Sequence, residues 1–290
     1  MSRALAYLHL LRPHQWVKNA FVLAGLLFGR AWRDPAMVEA ALLATAAFCL
    51  ASGAVYAFND ARDAAQDREH PRKRRRPVAR GAVSPRAASV FAALVAAASI
   101  AIAAVAGGKA AALVGAYLAL SAAYTLRLKH VPVLDVVAIA GGFMLRLLAG
   151  TLGIGIPPSS WLIACGFLLT LFLGFAKRRA EMVRLEAGAG QHRAVLEAYS
   201  IAFLDRAIAA CAAGMLLAYA WYTLSADTAR VQGTRWLVLT VPWVAIGTLR
   251  YLHRLRHRGG GGDPAEELLR DPVLAGAVAG WVGTVLWLIG

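Results

Sequence analysis

Cysteine is scarce in this chain. Cys49, Cys165 and Cys211 are the only three in 290 residues, each inside an apolar stretch and at unrelated spacings. With no Cys-x-x-Cys and no zinc-type histidine spacing, a disulfide framework and a structural zinc site are both excluded, and the three read as small buried residues. Acidic residues are few as well, 16 against 31 Lys and Arg, and charged residues of either sign make up only 16%. That is too little charge to clothe a soluble protein in which 59% of residues are hydrophobic and mean hydropathy is +0.57. A cleavable signal peptide is not expected, because Arg12-Pro13-His14-Gln15-Trp16 interrupts the start. Internal repeats and a soluble appended domain are absent too, so one membrane-embedded domain over 1–290 is expected.

What the chain does have is a succession of apolar stretches, each near the length of a bilayer-spanning helix. They fall at roughly 17–33, 37–58, 87–106, 110–126, 132–152, 159–176, 203–224, 235–252 and 272–289. An all-α integral membrane bundle of about nine transmembrane helices follows. With the N-terminus inside, 24 Lys and Arg lie on the inner side against five outside, which predicts an N-in, C-out topology with every long polar loop cytoplasmic. The net charge of +15 then combines a topological signature with affinity for anionic ligands or membrane lipids. The basic run Arg72–Arg76 is short and tethered to a bilayer, so nucleic acid is not expected as a partner. Gly107-Gly108, Gly141-Gly142 and the Ala-rich spans suit close helix packing and permit a homo-oligomer. Gly259–Gly262 reads as a flexible cytoplasmic loop. Trp161, Trp221, Trp236, Trp243, Trp281 and Trp287 read as interfacial or packing aromatics.

Chemistry concentrates in Asn59-Asp60-Ala61-Arg62-Asp63-Ala64-Ala65-Gln66-Asp67, at the end of the second apolar stretch. On a helix Asp60, Asp63 and Asp67 share one narrow arc. Carboxylates so close repel unless a hard cation lies among them, and Mg²⁺ takes oxygen ligands and completes its shell with waters and phosphate oxygens. Arg72, Lys73, Arg74, Arg75 and Arg76 follow at once, ready to hold the remaining phosphate charge. The segment reads as a Mg²⁺-diphosphate site at a membrane surface. Asp135 and Arg146 add two ionisable groups inside another span, about 16 Å apart along a helix and therefore unable to pair with each other. Ionisable residues within a span are costly and usually functional.

These residues resemble the UbiA-type membrane prenyltransferase superfamily, whose first acidic motif corresponds to Asn59–Asp67. The closer resemblance is to its decaprenyl-phosphate phosphoribosyltransferase branch. It rests on Arg12-Pro13-His14-Gln15-Trp16-Val17-Lys18-Asn19, on His70-Pro71-Arg72-Lys73-Arg74-Arg75-Arg76-Pro77, on Tyr124–His130 with Asp135 and Arg146, and on Phe175-Ala176-Lys177-Arg178-Arg179-Ala180-Glu181. The second acidic motif of ordinary members is missing, because the loop after the sixth span reads Lys177-Arg178-Arg179-Ala180-Glu181-Met182-Val183-Arg184. Basic groups there suit a bare phosphate rather than a second metal.

The resemblance implies a UbiA-like bundle in a bacterial inner (cytoplasmic) membrane, with its active site facing the cytoplasm. It implies transfer of 5-phosphoribosyl from phosphoribosyl diphosphate (PRPP) to a polyprenyl (decaprenyl) phosphate for cell-envelope polysaccharide. Asn59, Asp60, Asp63 and Asp67 are then the Mg²⁺ ligands, the three aspartates being catalytic. Lys18, Lys73 and Arg76 are expected on the donor's phosphates, and Lys129, Lys177 and Arg178 on the C5 or lipid phosphate. Tyr124, Asp135, Arg146 and Glu181 complete the expected substrate-binding set, with Glu181 placed to pair with Lys177 instead. Two alternatives stay open: a prenyltransferase with an aromatic or similar acceptor, and a non-enzymatic lipid transporter or scaffold.

Overall fold

The structure is a computed structural model that describes residues 3–69, 71, 73–186, 194–257, 267, 268 and 270–290. His70, Arg72 and Gly259–Gly262 lie outside the described residues. Among those described there are helices and no strands. Seven helical segments are long and apolar enough to cross a membrane: Pro35–Arg62, Pro85–Ala106, Gly108–Leu126, Leu134–Ile154, Ser160–Arg184, Ile201–Leu224 and Pro272–Ile289. They coincide with seven of the nine expected windows. The other two are composite. The window 17–33 begins within a 3-10 helix, Pro13–Leu23, that runs into the short α-helix Ala24–Phe28. The window 235–252 begins with the 3-10 turn Trp236–Thr240 and ends inside the helix Val241–His257.

The chain forms two compact units. The first comprises residues 1–127 and 145–158. It contains α1 (Arg3–Leu11), α2 (Ala24–Phe28), α3 (Pro35–Arg62), α4 (Ala64–Glu69), α5 (Pro85–Ala106) and α6 (Gly108–Leu126), and it takes the end of α7 (Leu134–Ala149). Helix α3 starts sharply because Asp34 accepts from the amides of Ala36 and Met37 while Pro35 occupies the first helical position. Ser84 and Pro85 repeat the device at α5. Alanines at 41, 44, 47 and 51 are fully buried along α3 and let α5 and α6 approach closely around Phe48 and Val114. Backbone contact is tightest at Gly25 and Gly150. A Cβ on Gly25 would stand 1.6 Å from the Gly150 carbonyl oxygen, and one on Gly150 would stand 1.5 Å from the Val22 oxygen. Only glycine fits either position.

The second unit comprises residues 128–144 and 159–290. Besides the start of α7 it holds α8 (Ser160–Glu186), α9 (Ala194–Glu197), α10 (Ile201–Leu224), α11 (Ala226–Gln232), α12 (Val241–His257) and α13 (Pro272–Ile289). Helices α8, α10, α12 and α13 pack in succession over Phe172, Phe175, Leu204, Ile208, Tyr251 and Leu274. Trp243 and Trp281 pack by donating to Thr284 Oγ1 and the Tyr219 hydroxyl, whereas Trp221, Trp236 and Trp287 are exposed.

Helix α13 is capped by Asp271, whose carboxylate accepts from the amides of Val273 and Leu274 and from Arg250 and Arg254. Hydrogen bonding from Arg250, then from the Leu274 amide and Arg254, outweighs desolvation and holds this carboxyl well below the usual range. A depressed folded pKa gives stability that is present above the ordinary pKa of about 3.9 and lost as pH falls beneath it. Between about pH 5 and pH 3, the wild-type melting midpoint should therefore drop further than that of Asp271→Asn, as read in detergent thermal melts. Parallel melting curves would remove the cap's electrostatic role.

Candidate functional site

Two polar clusters stand out, one in each unit. The first gathers at the end of α3. Asp60 and Asp67 are almost wholly buried, at 1% and 3% exposure. Arg76 Nη1 lies 3.2 Å from Asp60 Oδ1 and 2.7 Å from Asp67 Oδ2, so both carboxylates aim at one cationic nitrogen. Arg12 reaches the same Asp60 oxygen from the other side, Nη2 to Oδ1 2.5 Å, with its guanidinium 4.8 Å over the Tyr56 ring. Its backbone is left-handed (φ 50°) where α1 gives way to the 3-10 helix.

Helix α3 ends at Arg62 and α4 begins at Ala64, with Asp63 between them. The Asp63 amide still donates to the Asn59 carbonyl, and the Asp67 amide to the Asp63 carbonyl, so helical bonding survives the bend. The acidic motif thus runs over two helical segments that join at Asp63. Among the described residues no three His, Cys, Asp or Glu side chains are grouped as a metal site. The donor chemistry nevertheless fits a hard cation, because two buried carboxylates converge on one positive point. Asn59 lies beside them, its Oδ1 accepting from Thr125 Oγ1 at 2.8 Å. Lys73 stands on the 3-10 turn Lys73–Arg75 that leads into Arg76, and Lys18 Nζ donates to Gln15 Oε1 at 2.6 Å. Tyr124 is on the last turn of α6, one residue before Thr125.

Arg146 belongs to this unit and is buried. Its Nε donates to Asn19 Oδ1 at 2.8 Å and Nη2 to the Tyr117 hydroxyl at 3.0 Å, with the guanidinium 4.5 Å over the Tyr117 ring. Asn19 is fully buried and donates to Ser52 Oγ and Cys49 Sγ. Arg12, Asn19 and Tyr117 are participants that the sequence analysis did not nominate. Arg12 and Asn19 sit in the opening motif and were open to detection there. Tyr117 carries no local signal.

The second cluster surrounds Asp135, which is fully buried. Arg178 Nε lies 2.6 Å from Asp135 Oδ2, and Arg178 Nη1 lies 2.5 Å from Glu181 Oε2. Glu181 thus pairs with Arg178, three residues away on the same helix. The segment expected to be a loop, from Lys177 to Arg184, is the continuation of α8. Ala, Lys, Arg, Met and Glu all favour helix, nothing in the stretch breaks it, and the Arg178–Glu181 pair spans one turn. Lys177 is half-buried on the same helix, and Lys129 lies on the 3-10 turn Leu128–His130. Tyr199 donates to Asp135 Oδ1 at 2.6 Å and accepts the Val133 amide at 2.6 Å. Burial first, then the bond to Asp135, raises its phenol above the ordinary value, so the hydroxyl stays a donor at neutral pH.

Described residues that are helical without strands, with seven apolar helices of spanning length among them, define a multi-pass membrane protein. Residues 19–270 match the UbiA prenyltransferase family, and the chain belongs to it. It is 34% identical to the decaprenyl-phosphate phosphoribosyltransferase of Corynebacterium glutamicum over 284 residues, covering 96% of this chain and 85% of that protein. The enzyme of the same name from Mycolicibacterium smegmatis is also 34% identical, over 94% of this chain and 89% of its own length. The fold is similar to that of a UbiA homolog from Archaeoglobus fulgidus solved with GPP and Mg²⁺. That match has a TM-score of 0.74 at 20% identity, over 98% of this chain and 99% of the other.

Proposed function

We propose that this chain transfers 5-phosphoribosyl from PRPP to a polyprenyl phosphate, releasing diphosphate, at the cytoplasmic face of a bacterial inner membrane. The observation that carries the reading is 34% identity, over nearly the whole chain, to enzymes named for that transfer. The lysines that accompany the clusters, Lys18 and Lys73 in the first unit and Lys129 and Lys177 in the second, support it, since the donor and acceptor bring a diphosphate and two monophosphates.

Asp60 and Asp67, with Asp63 and Asn59, would hold Mg²⁺, and the ion would neutralise charge on the departing diphosphate. Lys18, Lys73 and Arg76 take the donor's phosphate oxygens, with Arg12 beside them on Asp60. As the C1–O bond to diphosphate breaks, C1 gains oxocarbenium character and an oxygen of the lipid phosphate bonds to it. That oxygen is already anionic, so no general base is assigned. Lys129 and Lys177 supply charge for a monophosphate, while Asp135 and Arg178 form a buried pair that ties α7 to α8, with the partly exposed Glu181 on the same guanidinium. Asn19, Arg146 and Tyr117 brace the first unit.

The topology we propose keeps nine crossings in one membrane domain, N-in and C-out. Eleven 3-10 residues at about 2.0 Å each, followed by five α-helical residues, reach roughly 30 Å, the thickness of the hydrocarbon core. Five 3-10 residues and the 17 of α12 reach somewhat further.

Purified protein with Mg²⁺ is given labelled PRPP and a short polyprenyl phosphate in one reaction. A second reaction holds labelled prenyl diphosphate and 4-hydroxybenzoate. Label passing from the ribose donor into the lipid phase is the expected result. Transfer only in the second reaction would replace phosphoribosyl with prenyl chemistry.

A further inference from the structure

Val133 has φ 67°. For a β-branched residue this left-handed conformation is an outlier, and such strain persists only where its surroundings over-determine it. The surroundings are specific. The Val133 amide donates to the Tyr199 hydroxyl at 2.6 Å, and that hydroxyl donates to Asp135 Oδ1 at 2.6 Å. Asp135 is in turn fixed by Arg178 at 2.6 Å. One hydroxyl therefore ties a strained backbone to a buried ion pair, accepting on one side and donating on the other.

The tie reaches a turn that carries Lys129. Leu128–His130 carries Lys129 and leads directly into Val131, whose amide donates to the Leu128 carbonyl, and then to Val133. Helix α9, two residues before Tyr199, packs on the same turn. The Tyr199 ring is held independently by stacking on Phe203, centroids 6.0 Å apart at 28°. Removing only the hydroxyl should therefore leave the ring in place.

We propose that Tyr199 is a positioning residue: its hydroxyl clasps Val133 and so holds the Leu128–His130 turn, with Lys129, in the geometry that binds a substrate monophosphate. The proposal rests on the phosphoribosyl-transfer reading only for the substrate's identity. The monophosphate is either the donor's C5 phosphate or the acceptor's lipid phosphate.

Wild type, Tyr199→Phe, Val133→Gly and the double variant are compared in lipid nanodiscs. Tyr199→Phe should speed amide exchange in residues 131–135 and raise KM for one phosphate substrate about tenfold, the scale of one lost hydrogen bond, with kcat changed less. The substrate whose KM moves, PRPP or polyprenyl phosphate, identifies the phosphate. Glycine adopts positive φ without strain, so the double variant should recover KM to within about threefold of Val133→Gly alone. Unchanged exchange in Tyr199→Phe, unchanged KM for both substrates, or failure of glycine to rescue would each overturn the clasp. If wild type transfers no phosphoribosyl group, the reaction assigned above fails. The exchange measurement, and KM for whichever substrate is turned over, still decide the role of Tyr199.

Discussion

Asp60→Asn should lower phosphoribosyl transfer at least about a hundredfold while leaving a folded, monodisperse protein. The change is isosteric, and the Asn side chain can still accept from Arg12, so packing around α3 is kept. What disappears is one of two negative charges that converge on a single cationic point, Arg76 Nη1. Charge neutralisation of a leaving diphosphate is worth several kcal/mol when a metal supplies it, which is what sets the expected loss. Asp67→Asn should behave in the same way, and both variants should need more Mg²⁺ for half-maximal rate. The check is a Mg²⁺ titration of initial rates in each variant, with melting temperature as the control for folding. Turnover unaltered in Asp60→Asn would sink the metal assignment.

The second large effect is on stability. Arg178→Gln strands Asp135, which is fully buried, beside a side chain with no charge to offer. Breaking one partner out of a buried pair costs about 3–5 kcal/mol, because the remaining charge cannot reach water. Folded yield after extraction should collapse. Arg178→Lys should recover little, since a single ammonium cannot reproduce the fork that meets Asp135 through Nε and Glu181 through Nη1. Adding Asp135→Asn to Arg178→Gln should restore part of the stability, because the stranded charge is gone. A double variant as unstable as Arg178→Gln alone would show that packing, not charge, governs the position.

Much of this was readable before any coordinates. Long apolar windows sit where seven spanning helices lie, because hydropathy over 20 residues is a strong signal and caps such as Asp34-Pro35 and Ser84-Pro85 mark the starts. The 3-10 stretch Pro13–Leu23 was not readable, since its apolar content resembles that of an α-helix and only backbone spacing separates them. The acidic motif was legible as a cation site. Its bend at Asp63 was not, nor was the pairing of Arg12 with Asp60 across 48 residues, although Arg12 stands in the opening motif and Arg76 in the basic run. The Lys177–Arg184 segment looked like a loop on charge alone, although its composition favours helix. Tyr199 was invisible, because its partner Asp135 lies 64 residues earlier and no spacing rule links them.

The first unit is not continuous in the chain, and this bears on how the protein is made. Asn19 is buried and receives Arg146 from 127 positions further along, while Gly25 meets Gly150 at backbone contact. At about 5–20 residues per second, translation puts roughly 6–25 s between these partners. For that interval the segment that carries Asn19 keeps a polar amide awaiting its mate. The insertion machinery is the natural shelter, and any nascent chain halted before residue 145 will carry an unfinished unit, a ready substrate for membrane quality control.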